Sequence, residues 1–250
     1  MQNQQIQIYN ADCVEVMEKI PASTIDCIVS DPPYGVNFKG ASYLDDTQAV
    51  LNNMHLWYKH WFRILKPNSF VFLFVGVKTL HNWIQAGIDA GFTYKNIIAT
   101  RSFNNGSPTA KSNFGFQFQP IILFSKGNGR KLNKVDFIPT SKEWLKDKRN
   151  KNPKPFTYEY PNFIKTEWAF ATAKRASKNY HPNEKNINLL KFFIEVSTKE
   201  KDTVFDGFLG SGSTALACLR CNRKFIGCEL TREYFEVAQN RIGLFGVNNG

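Results

Sequence analysis

Short apolar runs of strand length alternate with amphipathic stretches of helix length along most of this 250-residue chain. Strands are predicted over Ile6 to Tyr9, Ile25 to Ser30, Ser69 to Val75 and Tyr94 to Thr100, with helices between them over Cys13 to Ile20, Thr47 to Leu65 and Lys78 to Ala90. A polar, glycine-containing loop, Phe103 to Phe116, leads into a strand at Pro120 to Ser125. A second alternating block follows near the C-terminus: helix Asn186 to Ser197, strand Thr203 to Phe205, helix Thr214 to Leu219, strand Lys224 to Cys228 and helix Arg232 to Ile242. Strand and helix in turn argue for an α/β protein with a mostly parallel, twisted sheet covered by helices on both faces. The longest apolar run, Phe70 to Val77, is too short to span a bilayer, and the polar start Met1 to Gln5 lacks the character of a signal peptide. A soluble, cytoplasmic protein with no membrane partner is expected.

Composition sharpens the picture in one place. With 42% hydrophobic and 14% aromatic residues, the chain can bury a substantial core as a single domain, residues 1–250. Its formal charge of +11 and pI near 9.4 suggest a polyanionic partner. Residues 126–178 hold fourteen Lys or Arg against five acids, so this stretch alone carries +9, and eight aromatic residues are threaded through it. It has no clean periodicity and four prolines, Pro139, Pro153, Pro155 and Pro161, and it reads as an inserted recognition segment. Lys148, Arg149, Lys174 and Arg175 are its candidate phosphate contacts. The five scattered cysteines do not suggest a disulfide framework, and Cys218-Leu219-Arg220-Cys221 lacks a second pair, so no metal site is expected.

Two loops carry chemistry. The run Ile25 to Ser30 ends in Asp31-Pro32-Pro33-Tyr34. Paired prolines hold φ at about −65° and remove two backbone donors, which leaves the Asp31 carboxylate and the Pro32 carbonyl as outward acceptors beside the Tyr34 ring. An amino group on a flat ring suits such a row. The second loop, Asp206-Gly207-Phe208-Leu209-Gly210-Ser211-Gly212-Ser213-Thr214, joins a strand to a helix. It satisfies a dinucleotide fingerprint and part of a phosphate-loop pattern, but Ser213 stands where the phosphate-loop lysine belongs. A dinucleotide fold starting here would be truncated, because only 21 residues follow Glu229. If instead the last helix leads back to Ile6 to Tyr9, the two chain ends share one circularly permuted sheet. Residues 179–250 then form a cofactor-binding half completing the sheet of residues 1–125. Asp12, Asp31, Asp206 and Glu229 would end neighbouring parallel strands, where ligands bind in such sheets. Acids there favour a positively charged nucleoside, S-adenosylmethionine, over NAD or ATP.

The order of these elements resembles the beta class of S-adenosylmethionine-dependent DNA amino-methyltransferases. In that class the Asp-Pro-Pro-Tyr element precedes the recognition segment, and the Phe-x-Gly-x-Gly cofactor loop follows it. Asn10-Ala11-Asp12-Cys13, Leu65-Lys66-Pro67, Phe208-Leu209-Gly210-Ser211-Gly212 and His181-Pro182-Asn183-Glu184-Lys185 match its further elements. Gly207 and Asn186 depart from it, each standing where a proline is usual, and both changes are expected to loosen the cofactor pocket.

The resemblance implies a permuted Rossmann-like methyltransferase fold acting on double-stranded DNA. It makes Asp31, Pro32, Pro33 and Tyr34 catalytic, and assigns the cofactor to Asp12, Cys13, Asp31, Asn183, Lys185, Asp206, Phe208, Gly210, Gly212, Ser213, Thr214 and Glu229. Methyl transfer to the N6 amine of a flipped adenine is the expected reaction, since aspartate at position 31 leans that way. Cytosine N4 methylation is the alternative within the class, and a DNA-binding module with a vestigial pocket the alternative outside it. The family brings homodimers and restriction-endonuclease partners with it, although no interface signature is visible in this chain.

Overall fold

The computed structural model describes residues 5–35, 48–101, 118–135, 163–164 and 184–247. In chain order the elements are β1 (Ile6–Tyr9), α1 (Cys13–Lys19), β2 (Ile25–Ser30), α2 (Gln48–Ile64), β3 (Leu65–Phe74), a 3-10 turn (Val77–Thr79), α3 (Leu80–Asp89), β4 (Thr93–Arg101), β5 (Phe118–Ser125), β6 (Phe163–Ile164), α4 (Ile187–Ser197), β7 (Thr203–Asp206), α5 (Ser213–Arg220), β8 (Lys224–Cys228) and α6 (Arg232–Val247). The alternation expected from the sequence is present, with element ends shifted by a residue or two in most cases. The largest shift within the N-terminal half is at Leu65, where α2 runs straight into a strand four residues earlier than expected.

The strands form one sheet in the order β1-β8-β7-β2-β3-β5-β4-β6. β1, β8, β7, β2 and β3 are mutually parallel, β5 is antiparallel to both β3 and β4, and β6 adds to β4 in parallel. The permutation lies in two pairings: Tyr9 sits opposite Cys228, and Cys27 opposite Val204. The two C-terminal strands thereby lie between N-terminal ones, giving the circularly permuted, Rossmann-like α/β fold. Among the described residues no helix is long and apolar enough to cross a membrane.

Residue parity along the strands explains why both faces are covered. In β3, Val71 and Leu73, with Val75 just beyond, join one core, while Phe70, Phe72 and Phe74 join the other. The first core gathers Met17 of α1, Met54, Tyr58 and Trp61 of α2 and Trp83 of α3; the second gathers Leu190, Phe193 and Ile194 of α4, Ala215 of α5 and Ala238 of α6. Such doubly buried strands read as continuous apolar runs, as parallel strands do.

Polar groups at the end of the sheet opposite the site tie the layers together. Asp26 is buried, pairs with Lys66 at 2.8 Å and accepts a hydrogen bond from Thr203 N at 3.0 Å. Part of the basic stretch belongs to this scaffold. Lys126 Nζ donates to the carbonyls of Phe62 and Leu65, Arg130 Nη2 donates to Asp26 O, and Asn133 Nδ2 donates to Glu195 O and Thr198 O. These side chains anchor the stretch to the sheet, and Leu132 and Val135 pack against the second core.

Candidate active site

Four carboxylates arrive at one edge because four neighbouring strands end there. Asp12 follows β1, Glu229 follows β8, Asp206 closes β7 and Asp31 follows β2, in the spatial order β1-β8-β7-β2. Asp12 is also the N-cap of α1, its Oδ1 accepting from Val14 N at 2.7 Å. The crevice beyond the carboxyl ends of parallel strands is where ligands bind in open α/β sheets.

Around Asp31 the donors are specific. Tyr34 Oη donates to Asp31 Oδ1 at 2.7 Å, and Lys185 Nζ lies 2.6 Å from Asp31 Oδ2. The Lys185 ammonium also stands 5.3 Å from the centre of the Phe74 ring. Tyr34 is held from several sides. Its carbonyl accepts from Thr79 Oγ1 at 2.8 Å, its hydroxyl accepts from Gln119 Nε2 at 2.7 Å, and its ring packs against Gly76, where a Cβ would stand 3.1 Å from the ring. A side chain at position 76 would press on the ring, so glycine leaves Tyr34 its place there.

The glycine loop is organised by Asp206. This carboxylate is 2% exposed and accepts from Ser30 Oγ at 2.8 Å, Phe208 N at 3.0 Å and Thr214 Oγ1 at 2.7 Å. Burial pushes its pKa from 3.8 up to about 6, the nearby Asp31 charge adds to the rise, and the three donors oppose it. Glu229 clasps the loop: Oε2 accepts from Gly210 N at 2.8 Å and Oε1 from Thr231 N at 2.9 Å. Gly212 has φ of 85°, and a Cβ there would come 3.2 Å from that of Ala238, so the turn packs directly on α6. Arg241 of α6 donates to Ser211 O at 2.6 Å and Ser211 Oγ at 2.7 Å, and also to Glu184, the neighbour of Lys185. It thus joins the loop to the segment that holds Asp31.

These residues fit a cationic nucleoside. Ser213 Oγ is buried at the N-terminus of α5 and has no hydrogen-bond partner among the described residues, so a donor-acceptor group waits beside the loop. The strand ends present acids where a phosphate site would present cations and amides. Phe208 supplies an apolar wall, held edge-on by Trp57 at 4.9 Å between ring centres.

Cys13 and Thr214, both expected at the cofactor, lie at the same end of the sheet: Cys13 is buried in the first core beneath Gly207, and Thr214 donates to Asp206. At Gly207 the loop passes close to α1, where a Cβ would lie 3.2 Å from that of Cys13. Asn186 replaces the expected proline with a cap, its Oδ1 accepting from Asn188 N and Leu189 N. Asn183, Lys148, Arg149, Lys174 and Arg175 lie outside the described residues. Gln119, Gly76, Trp57 and Arg241 escaped the sequence reading. Each reaches the site through a contact distant in sequence, and only a glycine before a helical pattern, at position 76, offered a local hint.

The profile of the N6/N4 DNA methylase family matches residues 25–240. The chain belongs to the N6/N4 DNA methylase family. Its relatives include the type II methyltransferase M.HindIII of Haemophilus influenzae, 26% identical with 95% of each chain covered. The DNA adenine methyltransferase YhdJ of Escherichia coli is 28% identical, covering 96% of this chain and 83% of its own. Among solved structures, the cytosine-N4-specific PvuII DNA methyltransferase superposes with a TM-score of 0.73 at 19% identity, covering 95% of this chain and 86% of that one. The M1.HpyAVI complex with SAM gives a TM-score of 0.66 at 23% identity, covering 95% and 98%. At those identities the likeness is one of fold.

Proposed function

We infer that the protein transfers a methyl group from S-adenosylmethionine to the exocyclic N6 amine of adenine in double-stranded DNA. The observation that carries this reading is the Asp31 carboxylate at the end of β2, adjacent to the strand that bears Asp206 and the glycine loop. An exocyclic amine is a weak nucleophile because its lone pair is delocalised into the ring. Asp31 and the Pro32 carbonyl accept hydrogen bonds from it, draw the nitrogen toward tetrahedral geometry and stabilise the positive charge that develops on it, and the methylated amine then releases one proton to solvent. When bound, the cofactor supplies a methyl group already activated by a sulfonium. Asp206, Glu229, Asp12 and the Ser213 hydroxyl are the groups that hold it, with Phe208 against its apolar side. Catalysis then consists mainly of placing amine and methyl carbon in line.

A stacked base cannot reach this pocket, so the adenine flips out at a cost of a few kcal/mol, offset in part by stacking on Tyr34 worth about 1–3 kcal/mol. Lys148, Arg149, Lys174 and Arg175 bind phosphates in this reading. Adenine is favoured by aspartate at position 31 and by the relative named a DNA adenine methyltransferase. A cognate restriction endonuclease and a homodimer belong to the same proposal, the first because M.HindIII is named a type II methyltransferase. Mass spectrometry of nucleosides from unmethylated DNA incubated with the protein and S-adenosylmethionine tests it. N6-methyladenine is expected, N4-methylcytosine would transfer the assignment to the other base, and unmodified DNA would refute the activity.

A further inference from the structure

We propose that Gln119 is a positioning residue for methyl transfer, fixing through the Tyr34 hydroxyl the direction in which Asp31 presents its carboxylate. The proposal rests on the catalytic reading of Asp31 given above. Gln119 sits near the start of β5, on the far side of β3 from β2, and its amide spans the ends of these strands. Gln119 Nε2 lies 3.2 Å from Val75 O and 2.7 Å from Tyr34 Oη, and Tyr34 Oη lies 2.7 Å from Asp31 Oδ1.

The polarity of this chain of bonds follows from its ends. A backbone carbonyl only accepts, so the amide atom facing Val75 O is the NH2 nitrogen, which only donates. The Tyr34 oxygen beside that same nitrogen must therefore accept from it. Its single proton is then directed to an ionised Asp31 carboxylate, which only accepts. Val75 is itself pinned, its N–H donating to Pro120 O at 3.2 Å, so the reference point for the relay is backbone rather than a mobile side chain.

The consequence lies at the reacting group. With Oδ1 committed to Tyr34, Asp31 offers Oδ2 as its variable oxygen, the one now paired with Lys185. The incoming amine meets this oxygen in one orientation, and Lys185 has to yield it. Without Gln119, the Tyr34 hydroxyl loses the donor that directs its proton to Asp31, and its hold on the carboxylate weakens. A tenfold change in rate is the size of effect that losing one hydrogen bond of this kind produces.

The test is a double-mutant cycle with cofactor affinity measured alongside. Gln119→Leu is expected to lower kcat about tenfold while the calorimetric Kd for S-adenosylmethionine moves by less than about twofold. In a Tyr34→Phe background the same change is expected to have almost no effect, because the hydroxyl it orients is gone. Gln119→Glu preserves size but replaces the donor with an acceptor that competes for the tyrosine proton, so its kcat is expected to fall below that of Gln119→Leu at about pH 8 and to recover on acidification. With 13Cζ-labelled tyrosine, the Tyr34 resonance of the protein without DNA is expected to shift in both Gln119 variants. Equal losses in the native and Tyr34→Phe backgrounds, unchanged kcat in both variants, or an unmoved Tyr34 resonance would each overturn the proposal. Native protein that methylates no DNA would instead bring down the catalytic reading beneath it.

Discussion

Replacing Asp206 by asparagine isolates the electrostatic strain at the centre of the glycine loop. The asparagine keeps the shape, and its oxygen can still accept from Ser30 Oγ and Phe208 N, while its NH2 can donate to Thr214 Oγ1 in place of the bond Asp206 now accepts. What disappears is the charge. The pKa of Asp206 rises from 3.8 to about 6 in the folded protein, and at 1.36 kcal/mol per unit this amounts to about 3 kcal/mol. Because the folded state binds the proton more tightly than the unfolded chain, the group's contribution is fully present below pH 3.8 and is lost as pH rises through about 6. Urea unfolding of native protein and Asp206→Asn, followed from about pH 7.5 to about pH 4, measures the effect. The difference between the two cancels the other titrating groups. Native protein should gain about 2.5 kcal/mol relative to the variant across that range. A difference independent of pH would refute the reasoning. Cofactor binding gives a second reading of the same charge. A cationic ligand prefers the ionised carboxylate, so native affinity for S-adenosylmethionine should fall by up to about tenfold per pH unit below about pH 6, whereas the variant should bind more weakly and with a flatter pH profile.

Arg241→Met removes the link between the glycine loop and Glu184; losing these charge-assisted bonds should weaken S-adenosylmethionine binding by about tenfold in calorimetry, with the circular dichroism spectrum unchanged. Gly87→Ala would place a Cβ 2.4 Å from Phe124 Cζ; overpacking of about 1–3 kcal/mol should exceed the gain in helix propensity and lower Tm, and a rise in Tm would contradict it. Changing Lys148 and Arg149 together to alanine should weaken DNA binding and reduce the slope of log K against log salt by about 2, and an unchanged slope would remove both from the interface.

Most of the fold was legible because its elements are written in local pattern. The apolar runs at Ile25 to Ser30 and Ser69 to Val75 have few alternatives to buried strands, and the order of the Asp31 and glycine-loop elements along the chain already implies a permuted sheet. The pairing of Tyr9 with Cys228 is the physical form of that argument. The antiparallel direction of β5 and the two-residue β6 were not legible, since strand direction depends on a connection whose residues carry little periodicity. At the site, Asp31, Asp206 and Glu229 announce themselves by ending strands. Gln119 does not, because nothing near it in sequence signals a partner 85 positions away. Charge density alone does not separate roles within the basic stretch: Lys126 and Arg130 contribute to it and also bond to backbone carbonyls of the scaffold.

In the proposed reaction Asp31 acts on the substrate amine rather than supporting the cofactor. Single-turnover methyl transfer by Asp31→Ala, with the Kd for S-adenosylmethionine measured on the same preparation, tests this directly. The expected result is transfer reduced by at least about a thousandfold, or about 4 kcal/mol, with cofactor affinity within a few-fold of native. Near-native transfer, or loss of activity explained entirely by lost cofactor binding, would contradict it.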